Sequence, residues 1–176
     1  MSNSYTAFWT NDLCRYLERS GYGGQRLTLL FGGSHQSLPS FVRAGVRPGD
    51  WIYPVRVHRT RMCVLGALEV AGILPYEDAG SLLHDDDYVK LLHWRPLKAG
   101  CVGEVVIGPP GASLRFDTVV PGGLLERLTY TSRRGERTLK HVEDGRLIHS
   151  VGVQGIYRLA AGSAEEIRRL VGGAPL

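Results

Sequence analysis

The sequence predicts an α+β fold in which a mostly antiparallel sheet is flanked by helices. Three observations point there. Residues 51–71, "WIYPVRVHRTRMCVLGALEVA", are two β-prone runs around a short polar turn, the pattern of a hairpin. A further pair of β-prone runs, "CVGEVVIG" and "SLRFDTVV", flanks the turn "PPGA". Elsewhere apolar residues recur at helical spacing behind residues that cap helices well.

Taken in order, "SYTAFWT" alternates and is rich in aromatic and β-branched residues, so it reads as the opening strand. Thr10, Asn11 and Asp12 are N-cap types, and Leu13, Tyr16 and Leu17 follow at helical spacing until "GYGG" ends the helix. "QRLTLLF" is a strand. Ser37 then caps a second helix over "LPSFVRAG", with Pro39 in its first turn and Gly45 at its end. In the hairpin, Trp51 to Val57 and Met62 to Ala71 are the strands and "HRTR" the turn. Period-two alternation puts Trp51, Tyr53, Val55 and Val57 on one face and Ile52, Pro54, Arg56 and His58 on the other. Pro54 donates no ladder hydrogen bond and so implies an edge or a bulge.

"HDDDYVKLLHWRP" reads as a helix with an acidic start, an apolar stripe of Tyr88, Leu91 and Leu92, and a stop before Pro96. After the "PPGA" pair, "PGGLLERL" is one or two helical turns and "RLIHSVGVQGIYRL" a late strand or strand pair. "SAEEIRRLV" closes the chain as a helix, Ser163 and Glu166 having the spacing of a capping box.

A chain of 176 residues suits one domain with a real core. Its 43% hydrophobic and 22% charged content is that of a globular protein, and no run approaches the ~20 apolar residues of a membrane helix. "MSNSYTAFWTND" lacks the pattern of a secretion signal. Cys14, Cys63 and Cys101 are odd in number and form no CxxC, which argues against a disulfide framework or a zinc site. A cytoplasmic location is expected.

The formal net charge is +4 and the sequence pI 9.1. Arg43, Arg47, Arg56, Arg59 and Arg61 face the single acid Asp50 within residues 43–61, and five less one already equals the net charge. A second cluster, "SRRGERTLKH", carries Arg133, Arg134, Arg137 and Lys140 against Glu136. Such strips favour polyanions, and solvated surface arginine is the plainer alternative.

"FGGSHQS" is neither the elbow GxSxG nor a phosphate loop, since no glycine follows Ser34 by two and no GK[ST] is present. It is a polar loop at a strand end, where pockets form. Asp85, Asp86 and Asp87 fan out around a helix start, and His84 and His93 lie on different sides of it, so a cap is favoured over a metal site. Trp9, Trp51, Trp94 and Tyr53 are either core or a wall on which a planar base stacks. No catalytic set, cofactor motif or metal motif assembles.

"SYTAFWTND", "LPSFVRAGVRPGDWIYPVRVHRTRMCVLGALEV" and "QGIYRLAAGSAEEIRRLV" together resemble the EVE branch of the PUA-like superfamily, which also holds the ASCH and YTH domains. The shared pattern is a short aromatic strand, a small helix, then Gly49, Asp50, Trp51, Ile52 and, after the turn, Val64, Leu65, Gly66, Ala67, Leu68, Glu69 and Val70. The chain departs from it at "GGSHQSLPS", where the family runs to basic and asparagine-containing residues, at "FWTND", which replaces a lysine-serine-glutamate-proline-like start, and in the hairpin "YPVRVHRTR", whose polar residues differ.

The resemblance implies a partly closed β-barrel with helices at its margin and a pocket for a modified or flipped nucleobase. The pocket would draw on Trp9, Asn11, Ser34, His35, Gln36, Trp51, Tyr53 and Arg56. Stacking on an aromatic ring contributes about 1–3 kcal/mol per base. Arg43, Arg47, Arg59, Arg61, Arg133 and Arg134 would hold phosphates in a salt-sensitive way.

The expected function is therefore nucleic-acid binding, DNA or RNA, without catalysis, cofactor or membrane. One alternative is an ASCH-like, metal-independent ribonuclease using His35 and His58 with Arg56 or Arg61. Another is a protein-interaction module.

Overall fold

In the computed structural model of the chain, which describes residues 1–35, 38–79 and 100–172, the hairpin is the element around which the rest is arranged. Strand β3 (Trp51–His58) turns through Arg59 and Thr60 into β4 (Arg61–Val64). Both turn residues have positive φ, 49° and 64°, as a two-residue hairpin loop matched to strand twist requires. On its other edge β3 pairs in parallel with β1 (Ser4–Phe8), from Ser4↔Trp51 to Phe8↔Val55. β1 in turn pairs antiparallel with β12 (Ile156–Arg158), giving the order β12-β1-β3-β4.

The second expected hairpin strand does not run unbroken from Met62 to Ala71. β4 stops at Val64, and β5 (Leu68–Glu69) resumes the pairing with β3. The register moves from Val55↔Val64 to Ile52↔Leu68, so the partner gains one residue. Pro54 faces that irregularity, its carbonyl accepting from the Leu65 N–H at 2.8 Å. Of the two readings of Pro54 the bulge is the one observed, and it lies in an interior strand.

β5 runs on into β6 (Gly72–Pro75) and the short α2 (Tyr76–Ala79). β6 belongs to a second sheet, of order β2-β7-β6, with β2 (Leu29–Gly33) and β7 (Val102–Ile107). "SLRFDTVV" is not a strand; single bridges tie Ser113 to Arg26 and Val119 to Cys63. The polar chain after the short α3 (Gly122–Arg127) makes a hairpin, β8 (Thr129–Ser132) with β9 (Gly135–Thr138). A smaller pair follows, β10 (Val142–Glu143) with β11 (Arg146–Leu147). The fold is thus α+β, mostly antiparallel and poor in helix. Among the described residues the ladders form four separate sheets and do not close a barrel.

Alternation along β3 sorts side chains into two cores. Ile52 joins Leu13, Cys14 and Leu17 of α1 (Asn11–Arg19) with Leu30, Val105 and Val106 of the second sheet. Tyr53 and Val55 join Met62, Val64, Leu124, Leu125 and Ile167, the last on α4 (Ala161–Leu170). Each fully buried aliphatic side chain contributes about 1.5–3 kcal/mol. α1 is capped as expected, the Thr10 hydroxyl accepting from the Leu13 N–H at 3.2 Å.

Two helix signals fail. α4 is preceded by Ala160, and the Ser163 hydroxyl inside it accepts instead from the Thr129 N–H of β8 at 2.9 Å. Glu166 pairs with Arg127 at 3.1 Å, so there is no capping box. The stretch 41–45 is a turn and not a helix. Its Phe41 and Val42 N–H groups are taken by Glu104 of β7, and its Ser40 hydroxyl donates to the same carboxylate at 3.0 Å. Gln36, the Ser37 cap, the helix "HDDDYVKLLHWRP" with its aspartates and histidines, and Trp94 lie outside the described residues.

Two buried tyrosines make the cores sensitive to alkali. Burial pushes the Tyr53 and Tyr130 hydroxyls up to about 12 from 10, even though Tyr130 shares a 2.9 Å hydrogen bond with the Thr6 hydroxyl. The raised folded-state value means that this contribution is complete below pH 10 and is lost as pH rises towards 12. Each tyrosine then costs about 1.4 kcal/mol of stability per pH unit. Melting temperatures should therefore fall steeply from pH 10 to 11.5, and less steeply in Tyr130→Phe. A flat profile over that range would show the tyrosines to be solvated.

Candidate functional site

The expected base pocket does not assemble from its hairpin members. Arg56 shares a face with Ile52, as alternation requires, and α1 covers that face. It is only 8% exposed. Its Nη1 donates to Glu18 of α1 at 3.2 Å, and its Nε is buried without a partner among the described residues. Beside it, burial raises the Cys14 thiol to about 12 against the opposing pull of the Arg56 charge. Arg56 is a core cation and not a surface contact. Tyr53 is 2% exposed, within the second core. Trp51 is half-buried against that same core and stacks on Tyr53, with centroids 6.5 Å apart.

Asn11 serves the scaffold, its Nδ2 donating to the Val57 carbonyl at 2.9 Å and so tying α1 to β3. Trp9, held by its N–H to the Val55 carbonyl at 2.8 Å, lines a mostly apolar cleft with Leu13, Leu17, Tyr22 and Phe31. His58, Arg59 and Arg61 sit at the hairpin tip, roughly 26 Å along the strand from Asp50. They are exposed, and far from the arginines that do converge. His35 stands opposite Ile156 and not His58, so the histidine pair proposed for catalysis is not brought together.

What converges is at the other end of the sheet. Tyr5 and Arg158 are directly paired across β1 and β12, and Ala7 is paired with Ile156. Directly paired residues share a face, as do residues two apart, so Ile156 and Arg158 line one surface roughly 7 Å apart. Two adjoining clefts lie along this surface and share Ala44.

The first, about 320 Å³, is bounded by Gly33, Ser34, His35, Pro39, Ser40, Arg43 and Ile156. The second, about 560 Å³, holds Asn3, Tyr5, Arg47, Asp50, Thr131, Ser132, Arg133 and Arg158. Arg134 follows Arg133 in the β8–β9 turn, exposed and outside the cleft wall.

The clefts are basic by construction. Among the described residues no carboxylate lies within ion-pairing distance of Arg43, Arg47, Arg133 or Arg158, whereas Arg15, Arg127, Arg168 and Arg169 all have such partners. Asp50 is 4% exposed, and both its oxygens are occupied. Oδ1 accepts from the Asn3 N–H at 2.8 Å and Oδ2 from the Arg47 N–H at 2.9 Å. The carboxylate therefore fixes the 47–50 turn at the foot of the cleft.

Tyr5 reports the same field. Burial, then Asp50, pushes its hydroxyl above the usual value, and Arg158 and Arg47 pull it back. Glu104 holds the adjoining turn through Ser40, Phe41 and Val42, and so positions the segment from which Arg43 and Arg47 project. Behind the cleft, Arg137 lies over the rings of Tyr130 and Tyr157 at 5.0 and 4.9 Å, bracing β9 against β12.

Of the expected residues, Ser34, His35 and Arg43 thus meet in one cleft and Arg47 and Arg133 in the next. Arg158, Tyr5 and Ile156 were missed. Tyr5 lay in the opening strand "SYTAFWT" and the other two in the late β-prone run "QGIYRL", and no local pattern encodes the pairing of the two. Among the described residues no group of three or more histidine, cysteine or acidic side chains is placed to hold a metal ion. No helix among them is long and apolar enough to cross a membrane. No protein-family model matches the chain, and no curated protein matches it.

Proposed function

We propose that this chain is a nucleic-acid-binding module that lays a single strand along the two adjoining clefts. The observation that carries the reading is the convergence of Arg43, Arg47, Arg133 and Arg158 on one face with no carboxylate paired to any of them among the described residues. Arginine is the side chain suited to phosphate, since its planar donors engage two oxygens at once. The smaller cleft, with the Ser34 and His35 side chains on one side and Ile156 on the other, is wide enough for a base and offers polar groups to its edge.

With this reading goes a PUA-like fold of EVE or ASCH type. It is supported by the parallel β1–β3 pair and by the continuity of β5 with β6, which carries the chain from one sheet to the other. A cytoplasmic location goes with it too. The three cysteines are free, two of them buried.

The test is an anisotropy titration with a labelled ten-nucleotide single strand at 0.05 and 0.2 M salt. Binding should weaken with salt, with a log–log slope of roughly 0.7 for each phosphate held. Arg43→Gln should weaken it, and Arg56→Gln, whose charge is buried, should leave it as in the native chain. Salt-independent binding, or loss in Arg56→Gln alone with the fold intact, would overturn the reading.

A further inference from the structure

We infer that the larger cleft is a socket for a phosphomonoester, namely the terminal phosphate of a nucleic-acid strand. The inference rests on the nucleic-acid reading above and names the group that this part of the surface takes.

Three guanidinium groups reach the socket from separate segments. Arg47 comes from the turn before β3, Arg133 from the β8–β9 turn and Arg158 from β12. Against them, among the described residues, stands one acid, Asp50, whose oxygens are filled by backbone N–H groups. Three positive charges less one leaves +2 in the side chains of the socket. A phosphomonoester carries about −1.5 to −2 at pH 7, whereas a diester inside a strand carries a single charge. The socket therefore matches an end of a strand better than its middle.

Donor geometry agrees. Ser132 is committed to its own turn, donating to the Gly135 carbonyl at 3.0 Å and accepting from the Arg134 N–H at 3.2 Å. Tyr5 is committed to the Gly45 carbonyl at 3.3 Å. The Asn3 side chain is engaged with Tyr5, and the remaining polar side chains of the lining are the three arginines and Thr131, all suited to the oxygens of one anion. The adjoining Ser34–His35 cleft, with which it shares Ala44, is where the first nucleoside would lie.

The experiment compares ten-nucleotide single strands of one sequence that carry a phosphate or a hydroxyl at the 5′ end, and a second pair differing at the 3′ end, each labelled at the opposite end. One of the two phosphorylated strands should bind about tenfold more tightly than its hydroxyl partner. Arg158→Gln and Arg133→Gln should each abolish that ratio. Arg43→Gln should weaken both members of a pair and keep the ratio. Adenosine monophosphate should compete, and adenosine should not.

Equal affinity for phosphate and hydroxyl ends, with strands still bound, overturns the socket and leaves the nucleic-acid reading standing. Failure to bind any strand, together with an Arg158-dependent response to inorganic phosphate, overturns that reading and keeps an anion socket. Phosphoserine competing as well as adenosine monophosphate overturns the assignment to a nucleic-acid end.

Discussion

A chain carrying Arg47→Gln and Arg133→Gln together is expected to hold a short single strand about a hundredfold more weakly than the native protein at 0.15 M salt. Each substitution removes one charge from the larger cleft, and a hydrogen bond to a charged group is worth about 1.5–3 kcal/mol, tenfold or more in affinity. The two arginines lie on different elements, one before β3 and one in the β8–β9 turn, but line one cleft, so the double variant and not a sum of singles is the quantity to measure.

The salt dependence gives the sharper readout. If the two arginines neutralise two negative charges of the strand, the log–log slope should shrink by roughly 1.4. Folding should be spared. Asp50 is held by the Arg47 backbone N–H, which glutamine retains, and Arg133 is exposed. The loss in stability should stay within about 0.5 kcal/mol. An unchanged slope would mean that the strand lies elsewhere.

Gly111→Ala should be among the most damaging of single-methyl changes. A Cβ there would overlap the Ala67 carbonyl oxygen, which belongs to the irregular segment between β4 and β5. Neither side is able to retreat. The Gly111 N–H donates to the Leu27 carbonyl at 2.8 Å, and the next N–H donates to that same Ala67 oxygen at 3.1 Å. The residue is a stitch between the chain leading into β2 and the bulged hairpin strand. Overpacking usually costs about 1–3 kcal/mol, and the upper end or beyond is expected where the clash is with backbone. Urea unfolding measures it directly. Gly162→Ala, in the first turn of α4 with open space around the new methyl, should do the reverse and gain about 0.4–1 kcal/mol. Equal changes in the two variants would contradict this picture.

The hairpin was the most legible part of the sequence because its information is local. Alternation from Trp51 to His58 assigned side chains to the correct faces, and the proline marked the bulge. What it did not give was the cover. Arg56 was read as surface because it is arginine, although its face was that of Ile52, and only the docking of α1 decided that this face is interior. The turn at 41–45 looked helical because its apolar spacing is. Its first N–H groups are instead satisfied by Glu104, more than 60 residues away in sequence, which holds the segment as a turn.

The β8–β9 hairpin hid behind its charge, since "SRRGERT" reads as solvated cations and lacks an apolar stripe. The site suffered most. Ser34, His35, Arg43, Arg47 and Arg133 could be proposed singly from composition. The face that unites them depends on Tyr5 pairing with Arg158, and no window of sequence contains both.

That pairing also constrains the order in which the molecule forms. β1 is flanked by β3, about 45 residues on, and by β12, about 150 residues on. Contacts so distant along the chain form late, because the intervening loop must be closed before pairing repays it. A ribosome that has released the first hundred residues has supplied β1 with one neighbour only. Its other edge stays open, with its hydrogen-bonding groups unpaired, until the last strand emerges. An edge of that kind will accept a strand from another chain as readily as its own. Refolding yield should therefore be set by protein concentration long before it is set by the stability of the finished protein.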